Sequence, residues 1–119
     1  MTEDHVPVDD PVKRLFDSWG LSQAERAAVV GISLAGEDTI PLRFVQRDLT
    51  NEQSTRLGDV FAIYAGLSCL FPENREIRNG WMTSPNRRFG NRRPIDVVVE
   101  DRARGLERVR AEIDRMLSG

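Results

Sequence analysis

The residue types that most often carry enzyme chemistry are sparse in this chain. His5 is the only histidine and lies in an acidic N-terminal segment, so a Ser-His-Asp, Cys-His or histidine-rich zinc arrangement is not expected. Cys69, the only cysteine, falls in an apolar helical pattern and is predicted to be a buried small hydrophobic residue rather than a nucleophile. Glu100 and Asp101 are interpreted as solvated charges at a helix end. We therefore expect no enzyme activity, no metal site and no cofactor.

Arginine is concentrated instead in one short stretch. Four arginines fall within residues 87–93, and a tryptophan and a phenylalanine lie close by at Trp81 and Phe89. Tryptophan and arginine are enriched among the residues that dominate protein interfaces. This density exceeds that of an ordinary solvated helix face, so the stretch is predicted to present a surface to a partner.

Proline and glycine punctuate the same stretch. Pro85 follows two hydroxyl residues and is predicted to be the first residue of a short helical turn. Gly90 is predicted to end that turn in a left-handed conformation, and Pro94 to open a second short helix. Asn86 has two open interpretations, because its side chain can contact a partner or close the turn locally.

The run W-M-x-S-P-N-x-x-F-x-x-R-R-P-I-D-V-V, followed by an amphipathic helix, resembles the toxin-binding domain of the Xre/MbcA/ParS antitoxins over about residues 50–117. The resemblance implies a partner, a RES-domain toxin that consumes NAD, whose NAD pocket the antitoxin covers. Because only Ser118 and Gly119 follow Leu117, we expect blocking by the helix end or the arginine-rich loop rather than by a long tail. The residues expected to contact the toxin are Trp81, Asn86, Arg87, Arg88, Phe89, Arg92, Arg93, Arg115 and Met116.

Composition sets the broad class of the protein. At 119 residues the chain forms one domain or two tightly joined small ones, and its formal net charge of −2 argues against a general polyanion binder. No apolar run approaches the roughly 18 residues that span a bilayer. The polar N-terminal residues have no apolar segment typical of a secretory signal. A cytoplasmic protein without membrane association is therefore expected.

The hydrophobic spacing predicts an all-α fold in three parts. These are a disordered tail over residues 1–10, a degenerate Xre-like helix-turn-helix region over 11–48, and a small helical toxin-binding domain over 49–119. Only residues 97–99 are prone to form a strand, and the preceding Pro94 favours a short helix there.

Capping patterns place the helices of the N-terminal region. A helix ending at Gly20 is predicted from apolar spacing, and Ser22 with Glu25 forms a capping box for a second helix that ends at Gly31. The apolar residues of the first helix recur at helical spacing. They are Val12, Leu15, Phe16 and Trp19.

Two further helices carry most of the apolar residues that remain. A capping box of Thr50 and Gln53 opens the longest predicted helix, about residues 51–71, and a last helix is predicted over about 102–117. The apolar stripe of the longest helix is Leu57, Val60, Phe61, Tyr64, Leu67 and Phe71. The last helix is expected to bury Leu106, Val109, Ile113, Met116 and Leu117.

The pattern L-S-Q-x-x-x-A-x-x-x-G-I-S resembles the first half of an Xre-type helix-turn-helix, but the second half departs from it. Gly36 and Pro41 interrupt the segment that should form the recognition helix. Residues 1–48 hold five basic and nine acidic residues, a net charge of −4, whereas residues 49–119 carry +2. DNA binding is therefore expected to be weak or absent. The candidate DNA contacts are Ser33, Arg43 and Arg47.

These observations favour the antitoxin of a type II toxin–antitoxin pair, which forms a homodimer within a larger assembly with its toxin. Whether the antitoxin also regulates its own promoter stays open. The alternative is a stand-alone Xre-like DNA-binding repressor, which requires a basic reading helix. A third reading is an adaptor that uses the same arginine-rich stretch to bind another protein. An adjacent gene for a RES-domain protein discriminates best among them.

Overall fold

A computed structural model of the chain describes residues 11–31 and 49–119, and their regular structure is helical. The predicted all-α class is confirmed, and within these two ranges no strand forms. None of the described helices is both long and apolar enough to cross a bilayer. The helices are α1 (Pro11–Trp19), α2 (Gln23–Val30), α3 (Asn51–Leu70), α4 (Arg75–Gly80) and α5 (Pro94–Ser118), with 3-10 turns at Trp81–Thr83 and Arg87–Phe89.

The first two helices follow their sequence signals. The predicted apolar face of α1 is buried, and the capping box of α2 is present: the Ser22 hydroxyl accepts from the Glu25 amide, and the Glu25 carboxylate accepts from the Ser22 amide. Gly31 ends α2 with φ of 87°, a left-handed conformation that glycine adopts without steric cost. The tail predicted over residues 1–10 and the interrupted segment predicted beyond Gly31 lie outside the described residues.

The start of α3 closes over the end of α2. Thr50 and Gln53 form the predicted capping box. The side-chain amide of Gln53 also donates to the Gly31 carbonyl at 3.2 Å. The buried Arg56 guanidinium donates to the Ala28 carbonyl at 3.1 Å and pairs with Glu52. A helix C-terminus leaves carbonyls without intrahelical donors, and it favours positive charge. Arg56 and Gln53 therefore fasten α2 to α3.

Helix α5 is two helical arms joined by a sharp kink. At Arg102 the backbone takes φ of 57° and ψ of −124°, which is not helical. The sequence predicts two helices here, a short one opened by Pro94 and a last one over about residues 102–117. They correspond to the two arms of α5 on either side of the kink. A Cβ on Gly105 would lie 2.3 Å from the Val97 carbonyl oxygen, so the second arm presses backbone to backbone on the first. Only glycine permits that approach.

One hydrophobic core joins all the main helices. Both α2 and α3 pack against α5, and the core includes Trp19, Val30, Ile63, Ile95 and Ile113. The buried residues of α1 and α2 thus share a core with the C-terminal helices.

Three expectations about burial were wrong. Phe61 and Leu117 are exposed, and Cys69 is exposed rather than buried. On α3 the buried apolar positions are Leu57, Val60, Ile63 and Leu67, because the helix turns this aliphatic row toward α5. Leu57, Val60 and Leu67 belong to the predicted stripe, whereas Ile63 was not predicted and Phe61 lies outside the buried row.

Substituting Gly105 tests the close approach of the two α5 arms. Gly105→Ala is expected to lower the free energy of unfolding by about 3 kcal/mol, because the added methyl meets backbone that cannot move aside. Urea denaturation followed by circular dichroism measures it. Gly58→Ala is the matched control, since its Cβ meets nothing within 4 Å on α3, and a gain of about 0.5–1 kcal/mol is expected. Equal effects of the two substitutions would contradict the packing described for α5.

Candidate functional site

The predicted contact residue Trp81 is held by α4 and the 3-10 turn that follows it. The Asn74 side chain accepts from the Ile77 amide at 3.1 Å and so caps α4. The Gly80 carbonyl accepts from the Ser84 hydroxyl at 2.8 Å, and fully buried Met82 anchors the turn in the core. Trp81 is thereby fixed on a turn that packs against α5.

An open groove of about 350 Å³ lies beside this turn. Its lining includes half-buried Trp81 and Ile77, which is 45% exposed, with Gly80 between them in sequence. A large exposed aliphatic side chain beside an aromatic ring is a surface that gains free energy when an apolar group covers it. The groove can therefore receive an apolar side chain of a partner.

Asn86 closes the arginine-rich loop, defined as residues 84–93. Its side-chain oxygen accepts from the Arg88 amide at 2.8 Å, its amide donates to the Arg92 carbonyl at 3.0 Å, and its carbonyl accepts from the Asn91 amide at 2.9 Å. The side chain of Asn86 therefore closes the turn, which is one of the two roles that the sequence left open for it. The prediction that Pro85 begins the helical turn was wrong: Asn86 is the cap of the turn Arg87–Phe89, and Pro85 precedes that cap outside the turn.

Phe89 pins the loop to the core. Its side chain is only 6% exposed, and the Arg108 guanidinium lies 5.6 Å from the ring centroid, within cation–π range. Gly90 ends the turn with φ of 68°, as the sequence predicts. Phe89, expected among the toxin contacts, is therefore placed beneath the surface, where it positions the arginines around it.

Arg93 joins the loop to α2 and α5. Its guanidinium donates to both carboxylate oxygens of Asp96, at 2.7 and 2.9 Å, and to Glu25 at 3.1 Å. The hydrogen bond from Arg93 lowers the pKa of Asp96 below its usual range, although partial burial opposes the shift. Glu25 also completes the capping box of α2. Arg93 is thus a structural cross-link between the two ends of the described chain.

The other loop arginines differ in how much of their hydrogen-bonding capacity is used. Arg92 pairs with Glu100 on α5 and also donates to the Phe89 carbonyl. Arg87 is exposed and forms no ion pair with any residue of the described ranges. Arg87 is therefore the loop arginine with the most donors available to a partner.

Arg88 and Arg115 meet on one buried carboxylate. Glu112 is 8% exposed; Arg88 Nε donates to it at 3.2 Å, and Arg115 donates through Nε and Nη2 at 3.1 and 2.6 Å. The hydrogen bond from Arg115, followed by that from Arg88, lowers the pKa of Glu112, while burial opposes the shift. Both arginine side chains are more than half exposed. Glu112 therefore holds two guanidinium groups side by side at the surface.

The structure brings some of the predicted site residues together and leaves others outside its description. Arg88 and Arg115 both contact Glu112, and Phe89 contacts Arg108. The sequence patterns had singled out neither Glu112 nor Arg108. The i, i+3 spacing of Glu112 and Arg115 is the signal that could have indicated their pairing. Met116 is half-buried beside Arg115. The candidate DNA contacts Ser33, Arg43 and Arg47 lie outside the described residues. In the described part of the chain, no group of three acidic, histidine or cysteine side chains could hold a metal ion.

The shared carboxylate gives a pH-dependent contribution to stability. Since the folded pKa of Glu112 lies below the unfolded value of about 4.3, its contribution is present above that pH and is lost as the pH falls through the folded pKa. Glu112→Gln should therefore cost about 1 kcal/mol at pH 7, a modest value because both guanidinium groups are well solvated. Urea denaturation between pH 7 and 3.5 should show this difference shrinking. Glu107→Gln, at an exposed acid of the same helix, is the control; a gap for Glu112→Gln that stays constant with pH would refute the assignment.

Comparison with known protein families places the C-terminal part of the chain. Residues 68–119 match the antitoxin Xre/MbcA/ParS C-terminal toxin-binding domain. Searches of curated proteins and of solved structures each gave no match. The matched range begins near the end of α3 and contains α4, the groove, the arginine-rich loop and all of α5. This part of the chain is a toxin-binding domain of the Xre/MbcA/ParS antitoxin family.

Proposed function

We propose that this protein is the antitoxin of a type II toxin–antitoxin pair whose toxin is a RES-domain enzyme that consumes NAD. The match of residues 68–119 to an antitoxin toxin-binding domain is the observation that carries the proposal. That domain function requires a toxin as partner. The RES-domain identity of the toxin comes from the sequence resemblance described above.

Inhibition proceeds by covering the active site of the toxin, with no chemistry by the antitoxin. The geometry suits this role, because the candidate surface is fixed before any partner arrives. Asn86 closes the loop, Phe89 anchors it and Glu112 fixes two of its guanidinium groups. A surface ordered in advance loses less conformational entropy on binding. The groove beside Trp81 receives an apolar side chain, and the arginines surround a more polar part of the interface.

The antitoxin acts as a homodimer within a larger assembly with its toxin. Residues 49–119 hold the toxin, and residues 11–48 form the Xre-like region. The packing of α2 on α5 supports a second role for the N-terminal helices, which is to stabilise the toxin-binding part.

Co-expression with the RES-domain toxin that this proposal expects beside the gene tests the proposal. Cells should survive and keep their NAD, because the toxin active site is covered. Trp81→Ala is expected to weaken toxin binding about 30-fold or more, as is typical of a central interface tryptophan. Isothermal titration calorimetry and an enzymatic assay of cellular NAD provide the two measurements.

The matched control is Phe61→Ala, which removes an exposed aromatic side chain outside the matched range. It should leave toxin affinity within about twofold of the unchanged chain. Depletion of NAD while both proteins are soluble and co-expressed would mean that the proposed neutralisation does not occur. Equal losses from Trp81→Ala and Phe61→Ala would remove Trp81 from the interface.

The second candidate function is a stand-alone DNA-binding repressor. The net charge of −4 over residues 1–48 opposes approach to phosphate, so free protein should show no nanomolar binding to its upstream DNA at physiological salt. Promoter control then requires the toxin–antitoxin assembly, which presents several copies at once. A gel-shift titration with and without toxin measures this. Tight, sequence-specific retardation by the antitoxin alone, abolished by Arg43→Ala with Arg47→Ala, would favour the repressor.

A further inference from the structure

The surface of α5 carries a row of arginines that extends beyond the arginine-rich loop. Arg104, Arg108, Ala111 and Arg115 follow one another at spacings of four, three and four residues, which places them on one face of the second α5 arm. All four are exposed. At 1.5 Å per residue the row is about 16 Å long.

Two contacts join this row to the loop. Arg108 lies over the Phe89 ring, and Arg115 shares the Glu112 carboxylate with Arg88. Arg87 precedes Arg88 in the same 3-10 turn and is exposed. The loop and the helix face therefore form one continuous positive surface. We define the basic strip as Arg87, Arg88, Arg104, Arg108 and Arg115.

The basic strip keeps most of its charge unneutralised. Two acids contact its five arginines: Glu112, which lies buried beneath Arg88 and Arg115, and Asp101, which is 3.4 Å from Arg108. Arg87 and Arg104 have no ion-pair partner within residues 11–31 and 49–119. By contrast, Arg110 on another face of the helix is paired with Asp59. The free donors thus collect on one side of α5.

A small exposed side chain lies between two of these arginine positions. Ala111 stands three residues after Arg108 and four before Arg115 on the helix face, so it occupies little space between them. Guanidinium groups bind carboxylates through paired hydrogen bonds. A short acidic side chain fits such a position, reaching donors on both sides.

We propose that the basic strip is the docking surface for an acidic segment of the toxin, with Glu112 as the residue that positions Arg88 and Arg115 to receive its carboxylates. The inference rests on the proposed antitoxin function and deepens it, because it states the chemistry of the partner surface. An acidic protein segment is favoured over nucleic acid because the chain as a whole carries a net charge of −2, and the arginines of the basic strip follow a single helix face and one turn.

Charge reversal on the basic strip provides the test. Arg87→Glu and Arg104→Glu break no recorded ion pair, so both variants should fold normally. Each is expected to weaken toxin binding about tenfold at physiological salt, mainly through slower association, and to flatten the salt dependence of the affinity. Arg75→Glu on α4 is the matched control at another exposed and unpaired arginine, and it should change affinity less than twofold. Surface plasmon resonance at two salt concentrations supplies the rates.

Glu112→Gln separates positioning from net charge. It removes a negative charge, so charge alone predicts tighter binding to an acidic partner, whereas loss of positioning predicts weaker binding and faster dissociation. We expect a loss of about fivefold to tenfold in affinity. Glu107→Gln makes the same charge change on the same helix without breaking the arginine pair, and no loss is expected from it. Tighter binding by Glu112→Gln would overturn the positioning role.

The possible outcomes distinguish failure of the basic-strip proposal from failure of the proposed antitoxin function. If the unchanged chain binds the toxin and both strip reversals bind it equally well, the basic strip is not the docking surface, while the proposed antitoxin function stands. If the reversals abolish retention of duplex DNA but leave toxin binding intact, the strip is a nucleic-acid surface and the proposal is wrong. If the unchanged chain does not bind the toxin at all, the proposed function itself fails.

Discussion

The fold depends on the close approach of the two arms of α5. Gly105 lies against the backbone of Val97, which lets the helix reverse sharply after Arg102 and bring both arms into one core. The first arm buries Ile95, Val97 and Val98, and the second buries Leu106, Val109 and Ile113. Without this approach, α2 and α3 would lose the surface on which they pack. The loop anchored by Phe89 would also lose Arg108 above it.

The same geometry divides the arginines into two groups with different roles. Arg56 and Arg93 donate hydrogen bonds inside the fold. Arg56 donates to the end of α2, and Arg93 donates to Glu25 and Asp96. Arg87 and Arg104 are exposed and form no ion pair within residues 11–31 and 49–119. Arg88 and Arg115 stand between these extremes, because one buried carboxylate orients both while most of each side chain stays in water. An arginine-rich sequence can thus build a rigid scaffold and a binding surface together.

Local signals in the sequence predicted the helices well. Capping boxes at Ser22 and Thr50, the left-handed glycines at 31 and 90, and Pro94 at a helix start all act within a few residues, and the structure contains each of them. Phe61 belongs to the predicted apolar stripe of α3 but is exposed, because periodicity identifies an apolar face without showing which of two adjacent rows meets a neighbouring helix. That choice is made by tertiary packing.

The candidate site was predictable in outline but not in its internal roles. Residue types alone indicated that residues 81–93 form a surface, yet they could not show that Arg93 reaches Glu25, which is 68 residues away in the chain. Nor could they show that Phe89 faces inward or that Arg108 lies above it. These roles arise from long-range contacts, which one sequence does not encode in any short pattern. The family resemblance identified the domain, and the structure sorted its arginines into structural and available ones.

We propose that the toxin binds the face formed by the Trp81 turn, the arginine-rich loop and the second arm of α5. Hydrogen–deuterium exchange of the full chain, with and without the RES-domain toxin, measures this directly. We expect added protection in peptides that cover residues 77–93 and 104–116, with little change in α1 and α2. Protection confined to residues 11–31, with exchange unchanged across 77–116, would contradict it.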